Sequence, residues 1–157
     1  MRYRTALSIA ADPVHEAIEE AGAWYDANWS PDMALGDWWD RLGRSGWGFP
    51  AWPAQWFGRG LPSAVARAVV SDRTARGVFG PVSGIATFLA APTILAHGTD
   101  EQKQRFLPGI ATGEHVWCQL FSEPGAGSDM ASLQTRAVRD GDEWVLNGRK
   151  VWTSGAQ

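Results

Sequence analysis

The chain has 157 residues, enough for one ordinary domain or for one domain and part of another. At 45% hydrophobic and 20% charged residues it holds enough apolar surface for a core, which excludes a disordered chain. A formal net charge of -3 leaves no basic excess to meet phosphates; this excludes a general binder of nucleic acid or of an anionic membrane and points to small molecules or protein as partners.

Cys118 is the single cysteine, so neither an intramolecular disulfide nor a zinc cluster can be built on it, and a reducing, cytoplasmic setting fits. The N-terminus, MRYRTALSIAADP, has two arginines and only a short, broken apolar stretch, so it does not read as a cleaved signal peptide. No run approaches the ~18 apolar residues of a membrane span. Ten tryptophans stand out. Most read as core or interface anchors, because an indole buries a large area and still has an N–H to satisfy.

In chain order, the first helix is predicted from Asp12 as N-cap and Pro13 at the first helical position, with Val14, Ile18, Ala21 and Trp24 or Tyr25 on one face. Ser30 and Pro31 repeat the device for a second helix, whose Leu35, Trp38, Trp39 and Leu42 recur at helical spacing. Pro and Gly then punctuate residues 46–62, which read as a loop. Helix signals resume at SAVARAVVSDRTARG. The stretch SGIATFLAAPTILAHG is apolar nearly all round, which predicts a buried helix kinked or broken by Pro92. Thr99 and Gln102 form a capping box for a short helix ended by Pro108 and Gly109.

After ATGEH the period changes. VWCQLF (116–121) reads as a strand, and LQTRAVRDGDEWVLNGRKVWTS reads as an antiparallel meander turning at Asp140-Gly141 and Asn147-Gly148, dipeptides that tolerate positive φ. The fold class is therefore α+β: a helical region over residues 1–114, then the beginning of an antiparallel β domain over 115–157. Gln157 reads as a truncation point, since a meander of this size is marginal without more sheet.

Between strand and meander lies FSEPGAGSDM (121–130). It lacks the third glycine of a dinucleotide fingerprint, with Met130 in its place, and a strand follows it instead of a helix. Taken alone it reads first as a plain connecting turn and second as a concave, N–H-rich cradle for an anion flanked by Ser122 and Ser128. Glu123 reads as a structural carboxylate accepting from backbone N–H groups. His15, His97 and His115 are too dispersed for a metal site, and Cys118 reads as a small buried hydrophobe. Trp47, Trp52 and Trp56 read as packing residues ahead of the wall of a flat substrate cavity.

SEPGAGSD, preceded by GTDEQKQRFLPGIATGE and followed by NGRKVWTSG, resembles the acyl-CoA dehydrogenase family in motif order and spacing along essentially the whole chain. The resemblance implies FAD as cofactor and α,β-dehydrogenation of an acyl-CoA thioester, in fatty-acid or related acyl-CoA metabolism. It implies that Gln119, Leu120, Phe121 and Ser122 lie along the flavin, with Ser122 near the reactive side of the ring. Gly127 and Ser128 would approach its phosphate region, Ser128 would also touch the acyl-CoA, and Trp152, Thr153 and Ser154 would form the second flavin segment. Gln119 departs from a position that is often aromatic, and Thr153 from one that is commonly aliphatic. The helix around GIATFLAAPTIL would help line the acyl pocket. The family's catalytic base lies in a C-terminal helical domain or on another helix, so no residue here is assigned as catalytic, and no metal is expected. Relatives are oligomers and pass electrons to a partner that the sequence does not name. Two other readings stay open: a non-catalytic remnant or subunit packing on a complete homologue, and a related flavin oxidase or monooxygenase.

Overall fold

A computed structural model describes residues 12–153, 155 and 156. The reading of the first eleven residues therefore lies outside the described residues. α1 (Pro13–Asn28) starts as its cap predicts: Asp12 is extended and its carboxylate accepts the Val14 N–H at 3.0 Å. Its Ala17, Ala21 and Tyr25 pack on Val65 and Val69 of α3 (Ser63–Ala75).

α2 (Leu35–Ser45) begins four residues later than Ser30 as its cap would place it. The Ser30 hydroxyl accepts from Asp32 N–H at 3.3 Å and the Ser30 carbonyl from Met33 N–H at 3.1 Å, so this serine closes a turn on itself instead of capping a helix. The face of α2 follows its spacing, with Trp38 and Leu42 fully buried. Trp38 Nε1 donates to Phe79 O at 2.9 Å and Trp39 Nε1 to Gly80 O at 3.2 Å, so two indoles both fill the core and pin the loop after α3. Trp47 joins this core, while Trp52 and Trp56 pack on a second one.

That second core gathers Ala86, Ala91, Leu107 and Ile110. The apolar stretch around Pro92 is a π turn (Ala86–Ala90), in which Ala91 N–H reaches Ala86 O, leading into α4 (Ala91–His97). It is not buried all round: Phe88 and Leu89 face solvent. α5 (Asp100–Thr112) has the predicted capping box, Gln102 N–H to Thr99 Oγ1 at 3.3 Å and Thr99 N–H to Gln102 Oε1 at 2.9 Å.

α5 does not stop at Pro108 but runs to Thr112, with Gly113 left-handed at its end. Leu107, Ile110 and Ala111 are fully buried, so packing outweighs the one backbone bond that proline removes. Gly109 serves a close approach instead, since a Cβ there would sit 2.3 Å from His115 Nδ1. Where α2 crosses α5, a Cβ on Gly43 would lie 2.2 Å from Ala111 O.

β1 (Arg136–Asp140) and β2 (Glu143–Asn147) pair antiparallel, Arg136 opposite Asn147 and Asp140 opposite Glu143, around Gly141-Asp142 with Gly141 at φ 60. The sheet is this hairpin alone among the described residues. Residues 116–121 form no strand, because among the described residues no neighbouring strand pairs with them; Trp117 instead meets Phe106 of α5 edge-on at 5.5 Å. Nor does Asn147-Gly148 turn into a third strand. Gly148 is pressed against Thr135, where a Cβ would stand 2.1 Å from Oγ1. Cys118 is half-buried, not a core residue, since its segment has one uncovered side.

Candidate functional site

The turn in FSEPGAGSDM is small and closed. Glu123 N–H donates to Ala126 O at 2.8 Å and Ala126 N–H to Glu123 O at 3.1 Å, leaving Pro124-Gly125 as its tip. The Glu123 side chain turns inward and is only 8% exposed. Its Oε2 accepts Gln134 N–H at 2.7 Å, and its Oε1 accepts Thr135 N–H at 2.9 Å and Lys150 Nζ at 2.8 Å. The Lys150 ammonium first, then the Thr135 side chain and the Gln134 N–H, hold its carboxyl down to about 2 from an ordinary value of 4.5. Glu123 is thus a structural carboxylate, as the turn predicts, with donors that come from beyond the turn.

Lys150 also donates to Phe121 O at 2.9 Å, and Val151 N–H donates to Ser122 O at 3.0 Å. These bonds bring together the two segments that the sequence singles out, residues 119–128 and 150–153. The sequence reading gives Lys150 and Val151 no part in the site and takes Gly148 only as a turn residue. The available signal was a lysine in NGRK together with a carboxylate in SEPG, separated by 27 residues.

The structure sets the candidate residues along one continuous stretch. Gln119 and Ser122 are half-buried; Leu120, Phe121, Gly127 and Ser128 are exposed. Added Cβ atoms at Gly125 and Gly127 would meet open space. Among the described residues, the N–H groups of Gly127 and Ser128 have no protein acceptor. Trp152 is 90% exposed and sits at φ 59, a left-handed conformation that is unusual for so bulky a residue. Thr153 beside it is half-buried, and Ser154 lies outside the described residues. Nearby, a cavity of about 250 Å³ lies between Ala86 and Thr87 of the π turn and Val116 and Trp117.

Comparison with known proteins gives a consistent result. The profile described as "Acyl-CoA dehydrogenase, N-terminal domain" matches residues 5–114, and "Acyl-CoA dehydrogenase, middle domain" matches residues 118–157. The chain is 53% identical over 107 residues to acyl-CoA dehydrogenase FadE34 of Mycobacterium tuberculosis, covering 68% of this chain and 15% of that protein. Among solved structures, the ChsE4-ChsE5 complex from Mycobacterium tuberculosis shares 36% identity at a TM-score of 0.64, covering 94% of this chain and 41% of that one. The Tcur3481-Tcur3483 steroid ACAD shares 32% identity at a TM-score of 0.63, covering 93% of this chain and 41% of that one. The chain thus spans well under half the length of these relatives.

Proposed function

The chain belongs to the acyl-CoA dehydrogenase family, and from that premise we propose that residues 119–128 and 152–154 form one wall of an FAD site in a protein that dehydrogenates an acyl-CoA thioester between its α and β carbons. One observation carries the reading most directly: the exposed, strained Trp152 stands two residues from Lys150, which is bonded to both sides of Ser122. Strain of this kind persists where surrounding structure over-determines it, typically at ligand sites.

The residues fit the cofactor. An exposed indole and the exposed Phe121 offer flat apolar surface, while open space at Gly127 beside free N–H groups of Gly127 and Ser128 suits a phosphate. When bound, FAD supplies the acceptor for the hydride leaving the β-carbon. On the protein's side, Ser122 would offer a hydroxyl to the ring edge, Trp152 and Thr153 would cover it together with Ser154, and Gln119, Leu120 and Phe121 would line its flank. Ser128 would also meet the acyl-CoA. Glu123 is no candidate for the base, because both its oxygens already accept protein donors.

The substrate class extends the proposal. The cavity beside the π turn would take part of the acyl group, and the steroid ACAD among the similar structures adds polycyclic acyl-CoAs to straight-chain ones as candidates. The ChsE4-ChsE5 complex among the similar structures joins two proteins, which favours assembly with a second subunit, of the same or a different kind. No helix of the described residues is long and apolar enough to cross a membrane, and a cytoplasmic setting belongs to the same proposal. The test is to load the purified protein with FAD and add a panel of straight-chain and steroid-bearing acyl-CoAs without oxygen. Loss of the yellow flavin absorbance with one class supports the reading; a protein that takes up no FAD overturns it.

A further inference from the structure

Ser122 stands in an unusual local frame. Its own carbonyl accepts from Val151 N–H, the carbonyl before it accepts from Lys150 Nζ, and the carboxylate after it accepts from the same Nζ. All these bonds come from two consecutive residues, and Trp152 follows at once. A shift of residues 150–151 along the turn would break every one of them together. The carboxylate in turn holds Gln134 and Thr135 N–H, so the entry to β1 is tied to the same point. Gly148 permits the return strand to close on Thr135, where any side chain would collide.

We propose that Lys150 and Glu123 are positioning residues: their ion pair, with the carboxylate buried and the ammonium half-buried, fixes the register of the 121–128 turn against residues 150–153, and so sets where Ser122 and Trp152 stand toward the flavin. This rests on the reading of those segments as a flavin wall. An ion pair whose carboxylate is buried contributes little net stability against an apolar replacement, whereas leaving that carboxylate without its partner is costly; fixing a unique register is the better-attested role. Lys150 does more than neutralise Glu123, because its second bond, to Phe121 O, has no counterpart in a simple ion pair. Side-chain loss would therefore release the turn even where charge balance is kept.

The test is a cycle of Glu123→Gln, Lys150→Met and the double variant in the purified protein, read by thermal midpoint, FAD dissociation constant and the visible spectrum of bound flavin. The single variants are expected to lower the midpoint and weaken FAD by about tenfold or more, since small misplacements at a site cost heavily. The double variant is expected to recover the midpoint, with no lone charge left buried, but not FAD affinity or the wild-type flavin spectrum. If the double variant recovers both, the pair is merely structural and the proposal falls. If the variants bind FAD as the wild type does with an unchanged spectrum, it falls as well, while the flavin reading stands. If the wild type itself takes up no FAD, the flavin reading falls and the proposal with it.

Discussion

In the helical region Tyr25, Trp38, Leu42, Leu107 and Ile110 are sealed from solvent, whereas every residue of β1 and β2 is exposed. Among the described residues from 115 onward, Glu123 and Ala126 are the buried ones, and what joins these segments is directional: one carboxylate, one ammonium and a handful of backbone bonds. The lesson is that one chain uses two means of holding shape. Apolar burial makes a region robust to local change, because many contacts share the load. A polar knot concentrates it on a few atoms, which leaves the surrounding residues free to face a ligand.

The contrast can be broken most forcefully in the helical core. Trp38→Ala removes a fully buried indole and its bond to Phe79 O, and is expected to cost about 3–5 kcal/mol in thermal unfolding. A cost below about 1 kcal/mol would mean that the core collapses around the gap.

Acid should separate the regions next. Glu123 has its folded pKa depressed to about 2, so the stability it contributes is present above its ordinary 4.5 and is lost as pH falls from about 4.5 toward about 2. It is also the buried carboxylate among the described residues. The protection factors of Gln134 and Thr135 N–H, taken against the intrinsic exchange rate at each pH, should therefore fall over that window while those of the amides of α1 and α5 hold. Equal loss in both regions would remove the distinction.

Smaller effects sharpen it. Thr99→Ala deletes one arm of the capping box and should cost about 1 kcal/mol, confined to α5. Leu146→Thr, on the open hairpin, should change stability by no more than about 0.5 kcal/mol. A larger loss would show that a partner surface covers the hairpin in the assembled protein.

The two regions also differed in how far the sequence foretold them. Asp12-Pro13 and Thr99-Gln102 marked helix starts because a cap is a local device, complete within four residues. Ser30-Pro31 carries the same kind of signal, a capping side chain before a proline, but spends its hydroxyl on a turn, a choice that propensity does not settle. Pro108 marked no helix end, because the burial of Leu107 and Ile110 comes from distant packing. In the β region the Asp140-Gly141 signal found the hairpin within a residue, while Asn147-Gly148 looked alike and served the contact with Thr135. The motif residues of the candidate site could be named from resemblance. The knot that joins them could not, since its partners lie 11 to 29 residues apart and no periodicity links them.

The most direct measurement is amide hydrogen exchange of the purified protein with and without added FAD. Slowed exchange is expected in residues 121–128 and 150–153 together, with the helical core unchanged. Protection of neither segment, or of one alone, would contradict a single flavin wall built from both.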